Sequence, residues 1–248
     1  MNNKKYMLDL TDSIQFRGKT LYRIIALKEI MLKYKGYPYN KVLEGDKGGY
    51  VESEANLSHE GSCWILDDAK VFDNAVVSGN AIVEHKARVF GKAQVVDEAV
   101  VSGRAKVYGK AEIRGFSNIS GKASVSGRSV ILRYSRLSDN ATVRCNGTYL
   151  YDIKLCDNAL IEHIADYFSF HNVCSSFLDV YVFREKFGWK VCCGHFTGTV
   201  DGFEKHLKEK HKFYKETEYN NELVKVDLAM IKLIKSRITA REKAQPLE

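Results

Sequence analysis

The hydrophobic pattern of the chain repeats every six residues from Ala69 to Phe170. Each unit reads small residue, any residue, aliphatic residue, any residue, turn residue, any residue, and seventeen units follow one another without an insertion. The first position is Ala, Ser or Gly in every unit except the one that begins at Ile153, and the third is aliphatic from Val71 to Val143. Positions one and three are small or aliphatic and alternate with positions two and four, which predicts a short strand with one buried face. Gly, Asp or Asn at positions five and six predicts a corner.

This repeat resembles that of the hexapeptide-repeat proteins, whose chain winds as a left-handed parallel β-helix with three six-residue sides per turn. The resemblance implies an all-β solenoid of about six to seven coils stacked at roughly 4.8 Å. An amphipathic helical array is excluded, because no apolar pattern recurs at 3.6 residues. The small first residue faces inward and allows the tight corner that the left-handed path requires.

Both ends of a solenoid expose unpaired strand edges, which need covers. We predict a small N-terminal β cap over residues 1–54, formed by a hairpin with its turn at Arg17–Lys19 and a following loop. The solenoid then spans residues 55–168. Residues 169–248 are predicted to form an α/β cap of two strands and two helices, with Thr199 as the N-cap of the first helix.

Two further segments carry a second resemblance. The run Gly45-Asp-Lys-Gly-Gly-Tyr-Val-Glu52, together with Leu21-Tyr-Arg-Ile24, is similar to the N-terminal signature of an uncharacterised group of bacterial and prophage hexapeptide-repeat proteins. The segment Cys193–Thr199, with Phe203 and His211 after it, is similar to a small C-terminal module of phage-encoded proteins. These resemblances imply a phage or prophage setting and no particular activity.

Composition and charge indicate where in the cell the protein resides and what kind of partner it binds. The first residues lack the apolar run of a signal peptide, and no window is apolar enough to span a membrane. The six cysteines lack the spacing of a disulfide scaffold, which suits a reducing compartment. We therefore expect a cytoplasmic protein of a bacterial host cell that does not contact a membrane. The formal net charge of +7 favours anionic partners.

Residues eighteen apart lie above one another in a three-sided solenoid, so the repeat also orders the exposed residues. One face gathers cations and aromatic rings without an acidic residue at its centre, and we call it the basic-aromatic face: Lys86, Arg88, Phe90, Lys92, Arg104, Lys106, Tyr108, Lys110, Lys122 and Arg128. Stacked cations favour a bound polyanion, and exposed rings stack on bases. We predict an anionic partner here: nucleic acid, a nucleotide-type ligand or an acidic protein surface. A solvated face produced by the repeat and a self-association surface are the alternatives.

The enzyme known for this fold is an acyltransferase, which binds its acyl-carrying cofactor between subunits and uses a loop with a nearby histidine. Here the repeat is unbroken, and His85 and His163 lie at different corners with no orienting partner identifiable from the sequence. We assign no catalytic residue. The predicted function is a non-enzymatic, phage-type binding protein, acting in host takeover or against host defence, and the acyltransferase-like enzyme is the alternative.

A metal site is the other chemical candidate. Cys193, His195, His206 and His211 are ligand types that zinc accepts. His206 and His211 lie five residues apart on a predicted helix and so point in different directions, which argues against a shared ion. We expect no cofactor, with zinc as the alternative.

A homo-oligomer would need an apolar face. The predicted candidate comprises Val76, Val96, Val130, Leu132 and Leu150. The basic-aromatic face is excluded from a symmetric core, because it would bury like charges without partners.

Overall fold

The computed structural model describes residues 4–175 and 178–244. The chain divides into two compact units, residues 1–158 and 159–248. The first, the solenoid unit, contains a parallel β-solenoid, which makes about six turns. The predicted fold class is confirmed, because the six-residue units form the strands and corners that their pattern indicates.

The solenoid unit begins with five strands and a 3-10 turn, and then continues as short strands spaced about one repeat apart. The strands are β1 (Tyr6–Phe16), β2 (Lys19–Ala26), β3 (Ile30–Tyr34), β4 (Tyr37–Val42), β5 (Lys47–Val51), β6 (Trp64–Ile65), β7 (Lys70–Val71), β8 (Val76–Val77), β9 (Ile82–Val83), β10 (Arg88–Val89), β11 (Gln94–Val95), β12 (Val100–Val101), β13 (Lys106–Val107), β14 (Glu112–Ile113), β15 (Asn118–Ile119), β16 (Ser124–Val125), β17 (Val130–Leu132), β18 (Arg136–Leu137), β19 (Thr142–Val143), β20 (Tyr149–Tyr151) and β21 (Lys154–Leu155), with the 3-10 turn at Glu54–Asn56.

Three parallel sheets form the sides of the solenoid. Their orders are β5-β7-β10-β13-β16-β19, β8-β11-β14-β17-β20 and β6-β9-β12-β15-β18-β21. Arg88 pairs with Lys70 above and Lys106 below, which gives the eighteen-residue turn directly. The inward alanines and valines, such as Ala87 and Val89, are fully buried. Each buried valine contributes roughly 1.5–3 kcal/mol through removal of its side chain from water.

The corners depend on a left-handed backbone at position five. Asp73 and Asp97 have φ values of 59° and 60° there, and other units place glycine at this position, namely Gly79, Gly91, Gly103, Gly109, Gly115, Gly121 and Gly127. The aspartates also bridge turns, since the carboxylate of Asp73 accepts the N–H of Gly91 at 2.9 Å and that of Asp97 accepts the N–H of Gly115 at 2.9 Å. Aspartate and glycine therefore serve the same backbone geometry, and only aspartate adds a charge.

One corner departs from the repeat. Val130 pairs with Tyr149, nineteen residues on, whereas Arg136 again pairs with Lys154 after eighteen. The extra residue lies in the corner at 145–148, so the expectation of an uninterrupted repeat is wrong there.

Because a one-residue shift exchanges the two faces of a strand, Leu150 points inward and is 2% exposed, while Tyr149 and Tyr151 point outward. Leu150 therefore leaves the predicted apolar face, on which Val76, Val96 and Leu132 are half-buried and Val130 is buried.

The N-terminal cap is a continuation of one solenoid sheet. β1 and β2 form the predicted hairpin around Arg17 and Gly18, β2 pairs antiparallel with β5, and β5 pairs parallel with β7. The predicted loop at Gly45–Val51 is therefore largely strand β5. A second hairpin, β3–β4, was not predicted, and its Tyr39 hydroxyl reaches Glu84 of the solenoid at 3.1 Å.

The carboxyl-terminal unit is an antiparallel sheet with two helices. Its elements are β22 (Leu160–Ile161), a 3-10 turn (Ile164–Asp166), β23 (Tyr167–Phe170), β24 (Val180–Glu185), β25 (Gly188–Cys193), β26 (Phe196–Gly198), α1 (Val200–His211) and α2 (Glu218–Ala244). The two predicted strands and the Thr199 cap are confirmed, because Thr199 Oγ1 accepts the N–H of Gly202 at 3.1 Å. The two predicted helices are present as α1 and α2. Neither described helix is long and apolar enough to cross a bilayer.

The packing of successive corners generates a stability prediction. A Cβ at Gly121, whose φ is +65°, would lie 2.7 Å from the backbone nitrogen of Asp139, whereas one at Gly147, whose φ is +74°, would meet nothing within 4 Å. We expect Gly147→Ala to cost roughly 1 kcal/mol through its left-handed backbone alone. Gly121→Ala should cost at least about 2 kcal/mol more, because two corners must separate. Urea unfolding of both variants measures the difference, and equal losses would contradict close corner packing.

Candidate anion-binding site

The basic-aromatic face is the outer surface of the sheet β5-β7-β10-β13-β16-β19. Arg88 and Lys106 are paired residues of β10 and β13, so their side chains project from the same side. The corner residues also stack, since the Lys86 N–H donates to Gly103 O at 2.8 Å and the Arg104 N–H donates to Gly121 O at 2.6 Å. The structure therefore brings all ten residues of the face together over three consecutive turns.

Seven cations of this face are exposed: Lys86, Lys92, Arg104, Lys106, Lys110, Lys122 and Arg128. Within residues 4–175 and 178–244, none of the seven has a carboxylate within ion-pair distance. Lys19 and Lys47 on the N-terminal cap differ, because each contacts two carboxylates. Neighbouring cations repel one another, and an anion bound across them removes that repulsion.

The aromatic residues of the face form a stack that is partly covered. Phe72, Phe90 and Tyr108 stack with ring centroids 5.1 and 4.9 Å apart and nearly parallel planes. Phe16 at the tip of the β1–β2 hairpin packs edge-on against Phe72, which is 2% exposed, and the Arg17 guanidinium lies 5.1 Å from the Phe90 ring. Phe72 is therefore part of a small core, and Phe90 packs against that core as a half-buried ring.

Arg88 is also engaged by the hairpin, since its guanidinium lies 5.1 Å from the Phe16 ring centroid. The part of the face beyond the hairpin remains accessible, and we call it the open half: Arg104, Lys106, Tyr108, Lys110, Lys122 and Arg128. Contacts with the hairpin thus leave one aromatic ring among five exposed cations. Tertiary packing of this kind leaves no signal in a six-residue repeat.

Tyr108 is the half-buried centre of the open half. A hydrogen bond with the side chain of Ser126 lowers the pKa of its hydroxyl, and Ser124 and the positive charges of Lys106 and Arg144 act in the same direction. Each of these groups favours negative charge at the ring oxygen, while burial of the hydroxyl opposes it. This observation and the unpaired cations point to the same ligand chemistry.

A histidine lies at the edge of the face. His85 occupies a corner with φ of +60°, where glycine and aspartate are usual, and its side chain is exposed. Its Nδ1 lies 3.6 Å from Oε1 of Glu84, a residue that is 8% exposed and also accepts the Tyr39 hydroxyl. His85 therefore has the carboxylate neighbour that sequence reasoning did not identify. Glu84 precedes it directly, and Tyr39 comes from the unpredicted hairpin.

The other candidates have structural roles. His163 caps a 3-10 turn, because its Nδ1 accepts the N–H of Ala165 at 3.1 Å. Of the predicted zinc ligands, Cys193 contacts Cys174, His211 contacts Asp227, and His206 lies against the Phe196 ring, while His195 is exposed. The described part of the chain contains no group of three or more His, Cys, Asp or Glu side chains placed to hold a metal.

Comparison with known proteins gives a short similarity to one described protein. No model of a known protein family matches the chain. A protein from Escherichia coli strain K12, described as the uncharacterized acetyltransferase YdcK, is 46% identical over 43 residues. The aligned segment is 17% of this chain and spans 13% of the length of that protein. The similarity supports the hexapeptide-repeat class and the acyltransferase-type alternative more than the phage-type binding role.

The unpaired cations generate a prediction about salt. Lys106→Gln should raise the urea midpoint of the protein at about 0.01 M salt, because it relieves repulsion, and the gain should disappear near 1 M salt, where the screening length is about 3 Å. Lys19→Gln is the matched control and should lower the midpoint, because Lys19 bridges Glu52 and Asp73. A lower midpoint for Lys106→Gln at low salt would show that Lys106 is not repelled by its neighbours.

Proposed function

We propose that the chain is an acyltransferase-type solenoid and that the open half binds the phosphorylated, nucleotide-bearing part of an acyl donor such as an acyl-coenzyme A. The observation that carries the proposal is the set of exposed cations in stacked rows around Tyr108, which have no carboxylate partner among the described residues. The short similarity to a protein described as an acetyltransferase supports the reaction class.

The chemistry of the donor suits this surface. Coenzyme A carries a diphosphate and a ribose phosphate next to an adenine ring, so it needs several cations and one planar partner. Positive charge lies on both sides of the strand that carries Lys106: the corner before it has Arg104 and Lys122, and the corner after it has Lys110. The planar partner is the ring of Tyr108. Arginine binds phosphate in a bidentate manner, and lysine acts as a point charge. Stacking on one aromatic ring contributes about 1–3 kcal/mol for each base.

His85 is the proposed general base. It lies in the corner immediately before Lys86, one turn from Gly103 and Arg104. In this proposal, Glu84 orients the imidazole, and the imidazole accepts the proton of an amine or hydroxyl acceptor as that group attacks the thioester carbonyl. The carbon–sulfur bond then breaks, and the proton passes to the departing thiolate. A general base of this kind contributes typically about 10²–10⁴-fold to the rate.

Binding of a nucleic acid strand without catalysis is the second candidate. It is favoured by the exposure of cations over three consecutive turns, a pattern that also fits a continuous phosphate backbone. The phage or prophage setting and a role against host defence belong to this candidate and stay predictions.

Binding measurements separate the two candidates. Calorimetric titration with coenzyme A at low salt should detect binding that Arg104→Glu with Lys106→Glu weakens at least tenfold, because two attractive charges become repulsive. The control is Arg136→Glu with Lys154→Glu, a stacked pair of exposed cations on another sheet, which should leave affinity nearly unchanged. Binding of a single-stranded oligonucleotide without binding of coenzyme A would support the second candidate instead.

Catalysis is tested through His85. With acetyl-coenzyme A and a panel of primary amines and alcohols, thiol release should fall about 10²-fold or more in His85→Gln, while coenzyme A affinity stays unchanged. His163→Gln is the control, because His163 only caps a turn. Equal activity of His85→Gln and the unchanged protein would remove His85 from the reaction.

A further inference from the structure

Two cysteines meet in the core of the carboxyl-terminal unit. The sulfur atoms of Cys174 and Cys193 lie 3.8 Å apart, and the residues are 2% and 8% exposed. Cys193 is the last residue of β25, and Cys174 lies in the segment between β23 and β24. The two residues are nineteen positions apart in the chain. This contact has no part in the proposed binding site or reaction.

The strand pairing explains why Cys193 and not Cys192 faces Cys174. Cys193 pairs with Val180 and belongs to the core cluster that also contains Phe203 and Cys174. Its neighbour Cys192 contacts the hydroxyl of Thr197 instead. Successive side chains of a strand point to opposite faces, so the chain offers a matched cysteine one position away that cannot replace Cys193.

The segment that carries Cys174 is also anchored beside it. The N–H of Ser175 donates to Oδ1 of Asp227 at 2.8 Å, and Oδ2 of Asp227 contacts Nε2 of His211 at 2.7 Å. Asp227 is fully buried on α2, and His211 ends α1. The position of Cys174 is therefore coupled through its neighbour to a contact between the two helices.

We propose that Cys174 and Cys193 form a redox pair that closes into an intramolecular disulfide when a peroxide oxidises it. The more exposed Cys193 reacts first: its sulfur attacks a peroxide oxygen, the O–O bond breaks, and a sulfenic acid and one water (or alcohol) result. The sulfur of Cys174 then attacks the sulfenic sulfur, the S–O bond breaks and water leaves. Two thiol protons and two electrons pass to the peroxide, which is the only oxidant required.

The sulfur contact leaves a short distance for the disulfide to close. The two sulfur atoms must approach from 3.8 Å to about 2.05 Å. A separation near 3.8 Å also suits two thiolates on one tetrahedral zinc ion with Zn–S bonds of about 2.3 Å. The described residues provide no third ligand for such an ion, so the redox pair explains the contact with the groups present.

The surroundings set the rate and the consequence of oxidation. The hydrogen bond with Cys174 and burial raise the pKa of the Cys193 thiol, so little thiolate exists at neutral pH and oxidation should be slow. The thiolate fraction increases as pH rises, so oxidation should become faster. Once formed, the bridge holds Cys174 and Ser175 against β25 and thereby fixes the partner of Asp227. We expect oxidation to stabilise the carboxyl-terminal unit.

Intact mass measurement of the full chain after hydrogen peroxide treatment tests the proposal. We expect a loss of about 2 Da that is reversed by a thiol reductant, and a peptide map that joins Cys174 to Cys193. The rate should be higher at pH 9 than at pH 7, and the thermal midpoint of the oxidised protein should rise by several degrees.

The variants make the result specific. Cys174→Ser and Cys193→Ser should each abolish the mass change, whereas Cys192→Ser should retain it. If either cysteine variant fails to fold, alkylation of the unchanged protein before and after oxidation still identifies which thiols disappear. Stoichiometric zinc in the purified protein, or a bridge that uses Cys192, would overturn the proposal. Neither outcome affects the coenzyme A titration, because the two sites belong to different units.

Discussion

The eighteen-residue turn depends on close packing at its corners. Each corner needs a residue that tolerates a left-handed backbone and a small residue that faces inward, because successive corners stack almost in contact. Aliphatic side chains then fill the interior from the third position of each six-residue unit. Once this geometry holds, the vertical position of every exposed side chain follows from its number in the chain. The surface chemistry of the solenoid is therefore set by the same constraint that builds its core.

The fixed stacking of turns gives the basic-aromatic face its concentrated positive charge, and it also forces neighbouring cations to repel one another. Rows of cations must lie about 4.8 Å above one another, and the structure offers them no carboxylate partners in its described part. The β1–β2 hairpin changes the face in a way that the repeat alone does not impose, because it packs Phe16 and Arg17 over Phe72 and Phe90. The result is an accessible region centred on Tyr108, where ring, serine hydroxyls and cations meet.

The sequence predicted the fold and the composition of the face because both follow from periodicity. It did not predict the extra residue at 145–148, since Gly147 still supplies a small residue where the repeat expects one. It did not predict the cover over Phe90 or the contact of Glu84 with Tyr39, because both involve hairpins far away in the chain. The zinc alternative rested on ligand types, with the spacing of His206 and His211 against it, and the sequence did not show that the neighbour of Cys193 is Cys174.

The distribution of acids at the corners argues that the basic face is more than a by-product of repetition. Glycine and aspartate serve the same left-handed backbone, as Asp73 and Asp139 show at the two ends of the face. Between them, the flanking corners carry no carboxylate at position five: His85 occupies one, and the others are Gly91, Gly103, Gly109, Gly121 and Gly127. Copying of repeat units would carry aspartate into these corners as readily as glycine. Its absence where the cations stack keeps the positive potential uncompensated, which is the condition for holding an anion.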